Sequence, residues 1–389
     1  MRIALAMENF SRYGGGAESY SVTLAQTLVS EGWEVHLYGH SWDGEPAGAT
    51  FHLIPRFPRW VPPSIRIMAF AIRHRHMIAE EKFDVVLGFG NTLVMNVYQS
   101  HGGVHFISNI RKLQAIKNPL ARWLKFAVLL ATPKYHARAW IESAPFRSGQ
   151  RPVIIAISDM VRNDMAEHFH IKKGEIRLVY NGIDHRRRSP DEAKKRPELR
   201  RKLGFDNEVL FLFMSYDFRK KGLRYLIEAA GRLKDRLGTG RFGVVAVGAS
   251  PSPSLQRLVN KLQLNEIVVF PGATREPETY YDACDVFVLP TFYDACSLVV
   301  FEAMAAGLPA ITTESNGAAG IIHQGIDGVV LHDARNINEL ADAMSHFLET
   351  EILVSSSEAA RKTASTYTAE SNHRQMLSIF NEVSGIQRL

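Results

Sequence analysis

Cysteine is scarce in this sequence of 389 residues, and its two cysteines, Cys284 and Cys296, form no Cys-x-x-Cys pair and no cluster with histidine. The pattern disfavours a disulfide scaffold and a structural zinc site, and it is typical of a reducing compartment. Long apolar runs are missing as well, because no window approaches the roughly 18 uninterrupted apolar residues of a membrane-spanning helix. The amino-terminal MRIALAMENF turns polar too soon for a signal peptide and predicts a first strand. We therefore expect a cytoplasmic protein.

Acidic residues are scarce between residues 46 and 141, where 13 lysines and arginines accompany only three acids. This stretch carries a net charge of +10, whereas the whole chain carries +6 and the remainder therefore −4. Two segments inside it, 56–76 and 111–140, contain no acid and mix basic with aromatic and aliphatic residues. Such mixtures suit an anionic membrane surface, a phosphorylated amphiphile or nucleic acid, or form a solvated basic face over buried apolar positions. Their occurrence twice in one half favours an anionic surface.

Strand-like and helix-like segments alternate along the chain. The first half contains the strand-like RIALAM, EVHLYGH, FDVVLGFG, PVIIAIS and IRLVYNG. A charged, proline-bearing stretch at 184–204 interrupts the pattern, which restarts at EVLFLFMS and continues to GVVL before the chain closes on polar helices. This alternation predicts parallel sheets, and the length suggests two domains. We predict an α/β protein with a Rossmann-like domain over 1–185, a second over 186–365, and a final helix within 366–389.

Two loops in equivalent positions, each between a strand and a helix at the start of a predicted domain, carry features that suit an anion. The sequence YGGGAESY at 13–20 combines glycines, which let the backbone approach a ligand, with the N–H groups of a helix start. It is not Gly-x-Gly-x-x-Gly, so a dinucleotide is disfavoured. The second loop places Arg219, Lys220 and Lys221 before a helix, where the helix dipole opposes cations unless an anion binds. A simple glycine turn and a surface charge run are the alternatives.

Two acids stand in the apolar segment YDACSLVVFEAMAAGLP at 293–309. Asp294 lies in the loop after the strand DVFVLP, and Glu302 lies inside the helix that we expect to begin near 295–297. A buried carboxylate without a partner is costly, so each acid requires one. Sugar hydroxyls would serve, since an ionised carboxylate only accepts hydrogen bonds. The N–H groups at 295–298 would be free to hold a phosphate.

Several motifs occur in a fixed order, and together they resemble the motifs of a known family. They are GGGAE after the first strand, NGID at 181–184, RKKG at 219–222, FPGATREPETYYDACDVFVLPT, and an Asp-x7-Glu pair followed by AMAAGLP. In this order they resemble the retaining glycosyltransferases of family 4, over almost the whole chain. The resemblance implies the GT-B fold, in which two Rossmann-like domains face each other and a C-terminal helix crosses back to the first domain. The basic regions and DFRKKG further resemble the family's lipopolysaccharide core glucosyltransferases.

The resemblance implies a reaction and a set of site residues. A hexose, with glucose expected, would pass from a UDP-sugar to an acceptor hydroxyl with retained anomeric configuration. No Asp-x-Asp sequence occurs, so neither a metal nor another cofactor is expected. In the family pattern Asp294 binds donor-sugar hydroxyls, Glu302 binds the ribose, and Lys221 binds the phosphates. The implied residues are Asp294, Glu302, Lys221 and His101 as catalytic groups, and Gly15, Gly16, Arg219, Lys220, Cys296, Ser297 and Leu298 around the donor diphosphate.

One position departs from the family pattern, because Asp294 stands where the first glutamate of the pair is expected. It keeps the charge on a side chain that is one methylene shorter, which bears on the sugar that the site selects. The basic first domain holds the acceptor in this fold, so the implied acceptor is an anionic lipid-linked or phosphorylated glycan such as lipopolysaccharide core. The enzyme would then lie peripherally at the inner face of the cell membrane, and nucleic acid is not an expected partner.

Other functions remain open at this point. Another family 4 transferase would use UDP-N-acetylglucosamine or GDP-mannose, and a GT-B epimerase or a starch synthase-like enzyme shares the fold. Asp294 also leaves room for a non-catalytic nucleotide-sugar-binding protein. A nicotinamide dehydrogenase is disfavoured, because the glycine fingerprint and an acid at the end of the second strand are both missing.

Overall fold

The computed structural model describes residues 1–12, 14–43, 48–147, 151–184 and 190–386, without the side chains of 190–195 and 386. The chain divides into two compact units. Unit 1 comprises Met1–Asn181 and Glu370–Leu389, and unit 2 comprises Gly182–Ala369. The boundary that we predicted between 185 and 186 lies outside the described residues, and the one between 365 and 366 falls inside unit 2.

Fifteen strands are assigned among the described residues, and those of the two main sheets all pair in parallel. Unit 1 contains β1 (Arg2–Ala6), β2 (Asn9–Phe10), β3 (Glu34–Gly39), β4 (Ser41–Trp42), β5 (Thr50–Leu53), β6 (Val85–Gly88), β7 (Val97–Ser100), β8 (Val153–Ala156) and β9 (Ile176–Leu178). Unit 2 contains β10 (Val209–Ser215), β11 (Phe242–Gly248), β12 (Val268–Gly272), β13 (Val286–Leu289), β14 (Ala310–Thr313) and β15 (Gly328–Leu331). The predicted parallel α/β architecture is confirmed.

The helices follow the strands along both units. They are α1 (Gly16–Ser30), α2 (Pro63–Ala79), α3 (His105–Leu113), α4 (Pro119–Leu130), α5 (Pro133–Arg147), α6 (Asp159–His168), α7 (Pro190–Lys202), α8 (Leu223–Leu237), α9 (Pro253–Lys261), α10 (Glu278–Ala283), α11 (Leu298–Ala306), α12 (Ile337–His346), α13 (Thr350–Ala364) and α14 (Ala369–Ile386). Within the described ranges, no helix combines the length and the apolarity that crossing a bilayer demands.

The seven-stranded sheet of unit 1 has the order β5-β3-β1-β6-β7-β8-β9, and its side chains alternate between two apolar layers. Ile3 and Leu5 of β1 face the layer of α1, whereas Ala4 and Ala6 face the layer of α2. The last helix, α14, joins the first layer, where its Phe380 is fully buried. The final helix therefore completes the core of unit 1, as the expected return to the first domain requires.

The six-stranded sheet of unit 2 has the order β12-β11-β10-β13-β14-β15. All seven residues of β11 are buried, because helices cover both faces of a parallel sheet. The strand order reverses between β10 and β13, as it does between β1 and β6 in unit 1. In open α/β sheets, ligands bind outside the carboxyl ends of the strands at such a reversal point. The loops after β10 and β13 therefore occupy the place where a ligand site is expected.

Candidate active site

A basic loop follows β10 and packs against the end of β13. The backbone oxygen of Lys220 accepts a hydrogen bond from the N–H of Phe292 (3.1 Å). Gly222 makes this approach possible, because its φ is +82° and a Cβ there would overlap the carbonyl oxygen of Pro290. Both the left-handed backbone and the close contact therefore require glycine at this position.

The three cations of this loop have different partners. Lys220 donates its backbone N–H to Asp217 Oδ1 (3.0 Å), and its Nζ lies 2.6 Å from Asp217 Oδ2. Arg219 is exposed. Lys221 instead forms an ion pair with Asp294, in which both side chains keep about a fifth of their surface exposed, 20% and 23%. The structure therefore brings together two of the four residues predicted as catalytic.

Asp294 is held in place by its own backbone. Its N–H donates to the Ser315 oxygen (3.0 Å), and its carbonyl oxygen accepts from the N–H of Gly317 (2.8 Å). These bonds tie the loop after β13 to the loop after β14, so the carboxylate starts from a fixed position. The aspartate side chain, although one methylene shorter than a glutamate, reaches Lys221 from there.

The start of α11 differs from the sequence expectation. The helix begins at Leu298, after the predicted 295–297, with Ser297 as its N-cap. The N–H of Ser297 donates to Asn316 Oδ1 (3.3 Å), so this amide, predicted to be free for a phosphate, already has a partner. Cys296 and Ser297 are themselves buried, and Leu298 is partly buried. Asn316, which sequence reasoning missed, is fully buried and organises this turn.

Glu302 is the fifth residue of α11 and is not an unpaired acid. Its Oε2 accepts a hydrogen bond of 2.8 Å from the hydroxyl of Tyr281, a buried residue of α10. Burial raises the pKa of Glu302, while the hydrogen bond from Tyr281 opposes that rise. Burial also raises the pKa of Tyr281 well above its ordinary value, which keeps its hydroxyl a donor. Sequence reasoning missed Tyr281, since nothing in the spacing of α10 and α11 pairs these two residues.

The glycine loop of unit 1 is also already engaged. Gly15 is the N-cap of α1, Gly16 is its first residue, and the Gly15 N–H donates to the carboxylate of Glu18. The Gly15 amide, which the family resemblance places at the donor diphosphate, therefore has an intramolecular partner in this structure. The Gly-x-x-Glu spacing is that of a capping box with glycine at the cap, and it was visible in the sequence.

His101 follows β7 and lies between two aromatic rings. Its ring centroid is 4.4 Å from that of Tyr20 and 5.4 Å from that of Phe89. Burial lowers the pKa of His101 to about 3, so the imidazole is neutral at pH 7. Its Nε2 is buried and has no hydrogen-bond partner among the described residues. An unsatisfied buried polar atom costs about 1–3 kcal/mol, which a bound hydroxyl group would relieve.

Other polar side-chain atoms in unit 1 are also buried without a hydrogen-bond partner. Within the described residues, one side-chain oxygen of each of four residues near the ends of β6 and β7 is buried without a hydrogen-bond partner: Asn91, Thr92, Gln99 and Ser100. They follow, or end, strands whose carboxyl ends meet at one edge of the sheet. Sequence reasoning did not select them, since single serines, threonines and amides after strands are common.

Two family models match the chain in succession. The model described as Glycosyltransferase Family 4 matches residues 14–187, and the model described as Glycosyl transferases group 1 matches residues 207–350. The chain belongs to the family 4 glycosyltransferases. The two matched segments contain every predicted site residue, from Gly15 to Glu302.

This family 4 glycosyltransferase resembles relatives along nearly its full length. The lipopolysaccharide glucosyltransferase WaaG of Escherichia coli (strain K12) is 23% identical over 369 residues, which is 94% of this chain and 95% of that relative. A GDP-mannose-dependent alpha-(1-6)-phosphatidylinositol monomannoside mannosyltransferase of Mycobacterium tuberculosis is 25% identical over 372 residues, covering 89% of both.

Solved structures show the fold. The crystal structure of WaaG superimposes with a TM-score of 0.78 at 22% identity, covering 97% of this chain and 99% of that one. Anabaena HepE in complex with UDP-glucose gives a TM-score of 0.69 at 18% identity, covering 98% and 100%. The fold of this family 4 glycosyltransferase is therefore GT-B, as the sequence motifs predicted.

Proposed function

We propose that this glycosyltransferase moves a hexose, glucose in the first instance, from a UDP-sugar to an anionic lipid-linked glycan such as lipopolysaccharide core. The proposal includes retention of the anomeric configuration and no metal at the donor. The observation that carries it is the pairing of Lys221 with Asp294 at the reversal point of the second sheet. The full-length similarity to WaaG supports glucose and a lipopolysaccharide acceptor.

The proposed roles follow from charge and position. Lys221, with Lys220 or Arg219 beside it, stabilises the negative charge that builds on the departing diphosphate, which is electrostatic work. Asp294 accepts hydrogen bonds from hydroxyls of the donor sugar, and Lys221 turns from Asp294 towards the diphosphate as the donor binds. An ion pair of this exposure is weak enough to rearrange, since such pairs contribute at most about 1 kcal/mol.

Glu302 would accept hydrogen bonds from the ribose while Tyr281 holds its other side. Neutral His101 would bind a donor-sugar hydroxyl through its unpartnered Nε2. The Ser297 amide already donates to Asn316. We therefore assign Lys221 the main role in binding the diphosphate, and a smaller role to Gly16 and to the amides of Cys296, Ser297 and Leu298. The Gly15 amide would meet a phosphate only after Glu18 leaves it.

A panel of donors tests the function and its nearest alternative. A bound donor stabilises the folded chain by mass action, so UDP-glucose is expected to raise the unfolding temperature more than UDP-galactose, UDP-N-acetylglucosamine, GDP-mannose or NAD. Release of UDP from UDP-glucose should then depend on a lipopolysaccharide core acceptor. A shift with GDP-mannose alone would favour the mannosyltransferase relative's donor. A shift with NAD alone would contradict the proposal.

The helix α4 supports the membrane part of the proposal. No side chain of this fully described helix is buried, and four apolar residues spaced along one face are 52–66% exposed: Leu120, Trp123, Leu124 and Val128. Arg122 and Lys125 fall on the other side at 3.6 residues per turn. An exposed apolar face beside basic residues suits the interface of an anionic bilayer. We propose that α4 lies on that surface, with its apolar face inserted.

In vesicle co-sedimentation, the chain is expected to bind vesicles that contain anionic lipid and to bind neutral vesicles little. The binding to anionic vesicles should decrease as the salt concentration rises. The double variant Trp123→Ser, Leu124→Ser should lose most of this binding. Ile326→Ser, an equally exposed apolar position in unit 2, is the matched control and should bind like the unchanged chain. Equal sedimentation with anionic and neutral vesicles would rule the proposal out.

A further inference from the structure

Three metal-ligating side chains meet in unit 1, and none of them is among the predicted site residues. His36 of β3, His52 of the edge strand β5 and Glu81 after α2 place one ligand atom each within 4.8 Å of one another. His36 Nδ1 lies 2.8 Å from His52 Nε2 and 4.0 Å from Glu81 Oε2. We propose that these residues bind a divalent transition-metal ion, with Zn²⁺ the best fit, that ties β5 and the end of α2 to the sheet.

The hydrogen bonds around His36 set its ring for such a role. Its Nε2 lies 2.9 Å from Glu34 Oε1. The same Glu34 oxygen accepts a hydrogen bond from Nε of Arg2 (2.8 Å), and a carboxylate only accepts. Nη2 of Arg2 also lies 3.3 Å from this Nε2 of His36. In the metal-bound form that we propose, the proton of His36 is on Nε2, facing Glu34, and the lone pair of Nδ1 points at His52. A carboxylate that holds the distal N–H of a histidine is the usual support of a metal-bound imidazole.

His52 is available as a second neutral ligand. Its ring stacks on Tyr38, with centroids 4.4 Å apart and planes 7° from parallel, which fixes the direction of Nε2. His52 is partly buried, and its Nε2 already lies 2.8 Å from Nδ1 of His36. In the present arrangement His52 Nε2–H donates to His36 Nδ1. On metal binding this proton moves to Nδ1 of His52, and the two nitrogens separate to roughly 3.3 Å, the spacing of ligands about 2.0–2.1 Å from a tetrahedral ion.

The charge of the cluster accommodates a dication. Arg2 binds both carboxylates, through Nε to Glu34 Oε1 (2.8 Å) and through Nη2 to Glu81 Oε2 (2.8 Å). When both histidines serve as neutral ligands, the group of Arg2, Glu34 and Glu81 contributes a net charge of −1. A divalent ion would bring it to +1, and Glu81 Oε2 has a second lone pair for the metal while it keeps Arg2.

The donor set selects the class of metal. Two imidazoles and one carboxylate suit Zn²⁺ and its neighbours in the first transition row, whereas Mg²⁺ and Ca²⁺ prefer oxygen ligands alone. Glu81 and Arg2 also line a surface cleft of about 750 Å³, so the cluster borders on solvent at this side. The cysteine pattern disfavoured a structural zinc, but 15 residues separate His36 from His52 and 28 separate His52 from Glu81, a spacing that no motif describes.

The test is a zinc titration of the full chain after treatment with EDTA and removal of the chelator. Calorimetry is expected to show one equivalent of Zn²⁺ bound, and the unfolding temperature should rise with Zn²⁺. His52→Ala should abolish this binding, and Glu34→Gln should weaken it about 10- to 100-fold, the usual effect of losing such a support. His76→Ala removes an exposed histidine of α2 and is the matched control, expected to bind zinc unchanged.

Circular dichroism of each variant checks that it is folded, and Glu81→Gln gives a second, conservative ligand change. If His52→Ala does not fold, Glu34→Gln and Glu81→Gln decide the question, since both keep the shape of the side chain. Weakened binding in these variants supports the site. The absence of stoichiometric binding, or stoichiometric binding that neither Glu34→Gln nor Glu81→Gln weakens, would overturn the proposal.

Discussion

Replacing Lys221 with methionine is expected to lower turnover about 10²- to 10³-fold, the usual effect of removing one group that stabilises charge in a transition state. Methionine keeps most of the length and apolar stem of lysine, but it carries no charge towards the diphosphate. Because the leaving group gains negative charge only as the bond to the sugar breaks, kcat should fall more than KM rises. Steady-state kinetics with UDP-glucose and acceptor measure both constants.

This substitution is expected to change the stability of the fold only slightly. The Lys221–Asp294 pair is partly exposed, so its loss is expected to cost at most about 1 kcal/mol of unfolding free energy. Lys202→Met is the matched control, since Lys202 forms a comparable ion pair with Glu198 on α7 and is more exposed. It should leave kcat and KM unchanged. Wild-type turnover in Lys221→Met would remove Lys221 from the mechanism.

Asp294→Asn separates two explanations of that loss. If Lys221 acts only by holding Asp294 in place, Lys221→Met should be no worse than Asp294→Asn, and the double variant should equal Asp294→Asn. If each binds a different part of the donor, as we propose, both single variants lose activity and the double variant loses more. The interaction term of this double-mutant cycle is the measurement.

The sequence was sufficient to predict the parts of this site that strand ends determine. Lys221 and Asp294 follow β10 and β13, and neighbouring parallel strands bring their carboxyl ends to one edge. The alternation of apolar strands with amphipathic helices likewise predicted the two parallel sheets. The short edge strand β5 was missed, because the sequence TFHL is too short and too polar to read as a strand.

The partners of the predicted residues could not be predicted. Tyr281 meets Glu302 only because α10 and α11 pack side by side, and Asn316 meets Ser297 only because β14 lies next to β13. Both contacts depend on tertiary packing that no local spacing encodes. Glu18 is the opposite case, since a glutamate three residues after Gly15 is a capping pattern that sequence inspection can find.

Alanine at Gly222 is expected to destabilise unit 2 by on the order of 4–5 kcal/mol, in the range that marks a steric fault in a fixed backbone. Two costs combine there. An L-residue at φ +82° costs about 1–2 kcal/mol, and a Cβ would overlap the Pro290 oxygen and lie 3.0 Å from its carbonyl carbon. Because Pro290 follows β13 directly, the clash is with backbone and cannot be relieved by turning a side chain.

Gly204→Ala measures the cost of the left-handed backbone alone, without the overlap between a Cβ and a neighbouring carbonyl. Gly204 lies in the same unit with a φ of +87°, and a Cβ there would meet nothing within 4 Å. Its alanine variant should therefore lose only about 1–2 kcal/mol. All five tryptophans belong to unit 1, so circular dichroism must follow the unfolding of unit 2, with tryptophan fluorescence as the internal reference. Equal losses in the two variants would show that the loop yields to a Cβ at Gly222.

The same pair of variants links stability to the proposed chemistry. Gly222 directly follows Lys221, and the close contact at Pro290 is what holds the basic loop against the end of β13, where Asp294 begins its own loop. A displaced loop would carry Lys221 away from Asp294. Gly222→Ala should therefore lose transferase activity even at temperatures where it remains folded, whereas Gly204→Ala, which leaves that loop in place, should keep it.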